Sequence, residues 1–150
     1  MTLEDVPVAS ERSGPLGLLS VVASPQVPLR HAPGLSLSAP GEPPEQLALF
    51  TDGEGMSAIQ RFDASRDSLA WLDYIDTAAA YHLLSRPRVL VLGAGTGTDV
   101  WLARYHDAFA VTAVELNPDV VELVQEDFGD FSGRPFTLPG VRLAIGEARG

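Results

Sequence analysis

The chain contains no cysteine and no lysine. Without cysteine there is no disulfide, no thiolate nucleophile and no thiolate ligand for a metal. Without lysine there is no Schiff-base amine and no P-loop lysine to grip phosphate. All 10 basic residues are arginine, and against 20 acidic ones they leave a formal net charge of −10. Binding a phosphate backbone needs a net basic face, so a nucleic-acid partner is disfavoured. An acidic surface attracts small cations instead. No stretch approaches the roughly 18 consecutive apolar residues of a membrane span. The nearest, Leu16 to Ala23, is short and broken by Gly17 and Ser20. The first residues, Met-Thr-Leu-Glu-Asp, lack the basic start of a secretory signal, which points to the cytoplasm. The histidines, His31, His82 and His106, are scattered along the chain, and no metal site is expected from them.

What is present is enough apolar side chain, 45%, for a packed core. A chain of 150 residues suits one domain, or a small domain plus part of a second. It is organised around Arg88-Val-Leu-Val-Leu-Gly-Ala-Gly-Thr-Gly-Thr-Asp99. The apolar run Val89 to Leu92 reads as a strand of a parallel sheet, buried on both faces. Gly93, Ala94, Gly95, Thr96 and Gly97 then form a turn with almost no side-chain bulk, and helical spacing follows from Asp99 to Tyr105. Strand, glycine turn and helix open a nucleotide- or nucleoside-binding α/β unit, because bare backbone lets a ligand approach the helix. A second strand, Ala110 to Glu115, ends in a carboxylate about 20 residues past the first glycine, where a ribose-binding acid is expected. As it ends its strand, Glu115 is expected to serve the ligand rather than the fold. The dinucleotide fingerprint requires glycine at position 98, which is Thr98. The pattern Gly93, Gly95, Gly97 resembles instead the first motif of class I S-adenosylmethionine-dependent enzymes.

The rest of the chain falls around this unit. Residues 1–15 read as a loose arm and residues 16–66 as a small antiparallel β-layer. That layer has strands at Leu16 to Ala23 (stopped by Ser24-Pro25), at Leu35 to Ser38, and in a hairpin. The hairpin strands are Leu47 to Thr51 and Met56 to Gln60, with Asp52-Gly-Glu-Gly55 between them. Residues 67–87 read as a connecting helix with Leu69, Leu72, Ile75, Ala79 and Leu83 on one face. Residues 88–150 read as an incomplete Rossmann-like domain. In it Asn117-Pro118 starts a helix, residues 128–140 form a loop, and Val141 to Ile145 is a third strand before Gly146-Glu147-Ala148.

Taken together, the Asp-Gly hairpin, the Tyr81-His82 pair, the glycine turn, Glu115-Leu-Asn-Pro118 and Gly146-Glu-Ala148 resemble the spermidine synthase family of polyamine aminopropyltransferases. The resemblance runs from Leu16 to the last residue. It is nearest the bacterial spermidine synthase-like proteins, in which such a domain is often joined to a membrane-spanning part. It implies the first half of a class I S-adenosylmethionine-dependent transferase fold behind an antiparallel layer. The implied co-substrate is decarboxylated S-adenosylmethionine or S-adenosylmethionine, with no metal and with a polyamine as acceptor. By the same resemblance Gly93, Gly95, Thr96, Gly97, Glu115, Glu147 and Ala148 face the donor, and Tyr81 and His82 lie beside donor and acceptor. Three positions depart from the family pattern. Thr96 replaces the aspartate that faces the donor's amine, Met56 replaces the hairpin glutamine, and Leu83 replaces the glutamate after Tyr-His. The family's catalytic aspartates would follow the next strand, beyond Gly150. The expected function is therefore aminopropyl transfer by a longer chain, with residues 1–150 silent alone and Val89 to Leu92 at an open sheet edge. A missing second half or a homo-oligomer would cover that edge. Methyl transfer, or nucleoside binding without catalysis, are the alternatives.

Overall fold

The computed structural model describes residues 8–24 and 28–149. Residues 1–7 of the expected arm, the Pro25 strand stop and Gly150 lie outside them. Two sheets are present. The first is an antiparallel meander of β1 (Val8–Gly14), β2 (Gly17–Val22), β3 (Gln46–Thr51) and β4 (Gly55–Gln60), hydrogen-bonded in that order. Residues 8–14 are therefore not a loose arm. They pair antiparallel with β2, and Arg12 anchors them through ion pairs to Glu122 at 2.6 Å and Asp127 at 3.0 Å. The expected hairpin pairs Leu47 with Ile59 and Leu49 with Ser57. Asp52 and Gly53 both adopt positive φ in its turn.

The second sheet is parallel, in the order β5 (Arg88–Leu92), β6 (Ala110–Glu115), β7 (Val141–Ile145). α1 (Thr98–Tyr105) makes the first crossover. The second passes through α2 (Pro118–Glu122), a π-helical turn at Leu123–Asp127 and α3 (Gly129–Ser132). At that turn the Phe128 N–H reaches back to the Leu123 carbonyl at 2.8 Å. The stretch expected as a loop over 128–140 thus holds α3 and a 3₁₀ turn at Pro135–Thr137. Asn117 caps α2, its side chain accepting the Asp119 N–H at 3.0 Å.

β5 is the edge of its sheet and pairs with β6 alone among the described residues. It is not buried on both faces as expected: Val91 is buried, whereas Leu90 and Leu92 are 60% and 55% exposed. The strand order accounts for this. Two right-handed crossovers stepping in one direction place their helices on the same face of the sheet. Val89, Val111 and Val141 share that covered face in register, as do Val91, Ala113 and Leu143. These side chains merge with Leu19, Val21, Leu47, Leu49 and Ile59 of the antiparallel layer into one core.

The connecting segment is not an α-helix. It forms two 3₁₀ runs, Asp67–Tyr74 and Asp76–Leu83, separated at Ile75, whose backbone is extended. A 3₁₀ helix repeats every three residues, and of the five buried positions Leu69, Leu72, Ile75 and Ala78 keep that spacing, with Trp71 beside them as the fifth. Ala79 and Leu83, expected on the apolar face, are exposed. Leu35, expected within a strand over 35–38, makes a single antiparallel bridge to Ile75. Two further bonds stitch the same loop to this segment, Ser36 N–H to Tyr74 O at 2.8 Å and Asp76 N–H to Gly34 O at 3.2 Å.

Candidate functional site

The site is built where β5 ends. The ladder to β6 continues one step into the turn, the Ala94 N–H donating to Val114 O at 2.9 Å. The chain then reverses through Gly93, Gly95 and Gly97, all at positive φ, a region costly for any residue with a Cβ. The three glycines do different things. A Cβ on Gly97 would lie 2.5 Å from Pro135 Cγ, so this glycine lets α1 pack on the second crossover. A Cβ on Gly93 would meet nothing within 4 Å, and one on Gly95 only the Gly93 carbonyl at 3.8 Å. Their bareness faces open space.

Glu115 is 8% exposed and grips this turn. Its Oε2 accepts the Gly95 N–H at 2.7 Å and its Oε1 the Asn117 N–H at 2.8 Å. It therefore serves the fold, against the expectation that it is free for a ligand. A carboxylate has about four lone-pair sites, so capacity for further donors remains. Gly146 N–H bonds Glu115 O at 2.9 Å, which brings the end of β7 alongside.

Three concavities meet at the turn. One, of about 240 Å³, is lined by Gly93, Glu115, Leu116, Gly146, Glu147 and Ala148. It unites Gly93, Glu115, Glu147 and Ala148 from among the expected donor-facing residues. A shallow one of about 320 Å³ lies between Gly95, Glu115 and the antiparallel layer at Leu49 and Ser57. The third, of about 300 Å³, lies between the turn and the 31–33 and 75–77 segments. Gly95, Thr96, Thr98, Asp99, Asp76 and Trp71 are among its walls. Its loop wall is held by buried Gln46, whose amide accepts the His31 N–H at 2.7 Å and donates to His31 O at 3.0 Å.

Asp76 and Asp99 are functional candidates that the sequence reading missed. Asp99 reaches solvent but is crowded by protein. Its carboxyl is held above the ordinary range, by loss of hydration first and by the Asp76 charge second. Both carboxylates stand on the wall of this one cavity. An acid in the first turn of the helix after a glycine turn was the available sequence signal. Its meeting with Asp76 depends on the tertiary fold. Trp71 is buried on the same wall, and its indole N–H has no hydrogen-bond partner among the described residues.

Tyr81 and His82 are placed elsewhere. Tyr81 stacks on His106, which follows the last turn of α1, with ring centroids 4.9 Å apart. Burial, and then the charge of Asp99, push its phenol upward. His82 Nε2 lies 2.8 Å from Asp73 Oδ1, and the ring is edge-on to His106. Neither residue lines the cavities at the glycine turn. The glycine turn precedes the first turn of α1, whereas His82 and His106 gather at the helix's other end.

A parallel sheet with a glycine turn after its first strand and an acid ending the second defines a Rossmann-like α/β fold. With its antiparallel layer, the fold is that of spermidine synthases. A solved spermidine synthase from Thermotoga maritima superposes with a TM-score of 0.61 over 93% of the chain, at 13% identity. A spermidine synthase in complex with the transition state analogue AdoDATO superposes with a TM-score of 0.58, also over 93% of the chain, at 15% identity. The chain spans 40% and 41% of the lengths of these two proteins. No protein-family model and no curated protein sequence matches the chain. Among the described residues no helix is long and apolar enough to cross a membrane.

Proposed function

We propose that this chain is the donor-binding part of a spermidine synthase-like transferase, with decarboxylated S-adenosylmethionine as donor and a polyamine as acceptor. The observation that carries the reading is a cavity against the glycine turn that Asp76 and Asp99 both line. The nucleoside would occupy the neighbouring concavity. There Glu115 and Glu147 offer acceptors to ribose hydroxyls and adenine, and Gly93 leaves room for approach. The sulfonium and the aminopropyl ammonium would then lie toward the two aspartates. This supplies the negative charge that Thr96 does not.

The acid pair also bears on which donor is used. S-adenosylmethionine carries a carboxylate on its tail, and two aspartates repel it. The decarboxylated form presents only positive charge there. In the reaction an uncharged amine displaces the aminopropyl carbon from sulfur. A C–N bond forms as the C–S bond breaks, and the amine proton departs to solvent or a base. The chain's own part is orientation and charge: Glu115 fixes the turn, and Asp76 and Asp99 hold the cationic tail.

Thr96 supports methyl transfer from S-adenosylmethionine as the second reading, because no carboxylate stands at that position to oppose the methionine tail. Calorimetric titration of the chain with both donors, followed by an assay with putrescine, separates these readings. The proposal expects tighter binding of the decarboxylated donor. Preference for S-adenosylmethionine would turn the assignment to methyl transfer, and no binding of either would remove it. Donor binding without turnover by the complete polypeptide would leave a binding module.

A further inference from the structure

Asp73, His82 and His106 come from three different elements and converge at one point. Asp73 lies in the first 3₁₀ run, His82 in the second, and His106 follows the last turn of α1. One ligating atom from each lies within 4.8 Å of the others. Asp73 Oδ1 is 2.8 Å from His82 Nε2 and 3.0 Å from His106 Nε2. The His106 contact lacks hydrogen-bond alignment, so this buried nitrogen has no hydrogen-bond partner among the described residues. A buried imidazole nitrogen left without a partner is costly and calls for an explanation. The nearby Arg66 does not supply a competing positive charge at full strength, because Asp107 engages it through both terminal guanidinium nitrogens at 3.0 Å.

We propose that Asp73, His82 and His106 form a site for a divalent transition-metal ion of the zinc class. Two imidazoles and one carboxylate suit that class and not magnesium or calcium, which take oxygen ligands. Ligand atoms about 3.4 Å apart satisfy tetrahedral zinc at bond lengths near 2.0–2.1 Å. The two Asp73 spacings of 2.8 and 3.0 Å lie a little below that value and all three atoms fall within 4.8 Å of one another, so small side-chain adjustments are enough. The ion takes up the lone pair of His106 Nε2 that the protein leaves unpaired. Three protein ligands leave a fourth position, and it opens to solvent past His82, whose side chain is 57% exposed. Bound there, the ion clips both 3₁₀ runs to the end of α1. It thereby fixes the segment whose other face carries Asp76 to the donor cavity. The site stands whether or not the donor reading holds, because it shares no ligating residue with it.

The test is calorimetric titration of the metal-free chain with Zn²⁺, checked by competition with a chromophoric chelator. Saturable binding of one equivalent is expected. His82→Gln and Asp73→Asn should each weaken it by roughly tenfold or more, a loss common even for residues that only support ligands. Both sites are at least partly exposed, so the variants should fold, and circular dichroism verifies this. A second readout needs no variant: in ¹H–¹⁵N spectra Zn²⁺ should move the ring signals of His82 and His106 but not those of His31. No saturable binding would overturn the proposal. So would affinity unchanged in either variant, or ring signals of His82 and His106 that stay in place.

Discussion

Glu115 holds the Gly95 amide, Oε2 to N–H at 2.7 Å, across 20 residues of sequence. The carboxylate's other oxygen takes the Asn117 N–H, so one side chain sets both the glycine turn and the start of α2. Glu115→Ala leaves two backbone donors without their charged acceptor, and hydrogen bonds to charged groups contribute about 1.5–3 kcal/mol. Urea unfolding should show a stability loss of that order. Donor affinity should fall further than the unfolded fraction explains. A midpoint unchanged from the parent chain would mean that the turn does not rely on this carboxylate.

The glycines separate a packing role from a ligand role. Gly97→Ala places a Cβ 2.5 Å from Pro135 Cγ at a φ of +89°. Left-handed strain of about 1–2 kcal/mol and overpacking of about 1–3 kcal/mol should both appear in thermal unfolding. Gly93→Ala, at a φ of +71° with no atom within 4 Å, should carry the strain alone. Its larger effect should be on donor binding, because the added methyl enters the concavity beside Glu115. Equal stability losses in the two variants would contradict this division.

The one-sided cover of the parallel sheet makes a third prediction. Leu90→Ala should change stability by no more than about 0.5 kcal/mol, as at other exposed positions. Leu102→Ala, at a fully buried position of α1, should cost about 2–5 kcal/mol. Chemical denaturation of both variants checks it. A large loss at Leu90 would mean that something covers that face in solution.

These outcomes mark what could be read from the residues alone. Strand, glycine turn, helix and the acid at position 115 lie close in sequence and follow local rules, so both parallel-sheet crossovers were legible. The 3₁₀ segment was not. Leu69, Leu72 and Ile75 are compatible with periods of 3.0 and 3.6, and only the burial of Ala78 with the exposure of Ala79 and Leu83 distinguishes them. The double burial expected of Val89 to Leu92 came from its composition, but strand order decides which face is covered. Residues 8–14 look polar enough for an arm because their anchors, Glu122 and Asp127, are more than a hundred residues away. The convergence of His82 on His106, and of Asp76 on Asp99, is likewise invisible until the chain has folded.

Asp99 gives the last prediction, and its sign can be derived. Its folded carboxyl titrates above the ordinary value of 3.8, through lost hydration first and the charge of Asp76 second. The folded chain therefore holds this proton to higher pH than the unfolded chain does. The relative stabilisation is complete below 3.8 and is lost as pH rises through the raised value. Tyr81 also faces this charge, and His31 lines the same cavity. Asp99→Asn removes the cost of ionisation, so it should raise the neutral-pH melting temperature and flatten the slope of stability in the mildly acidic range. Donor binding should respond in the opposite sense. A sulfonium or ammonium prefers ionised Asp99, so affinity in the parent chain should rise with pH through the same window, and Asp99→Asn should lose both the rise and part of the affinity. Thermal unfolding and calorimetric titration across mildly acidic to neutral pH measure the two effects on one pair of proteins. A variant that is more stable yet binds the cationic donor as tightly as the parent would separate Asp99 from the site.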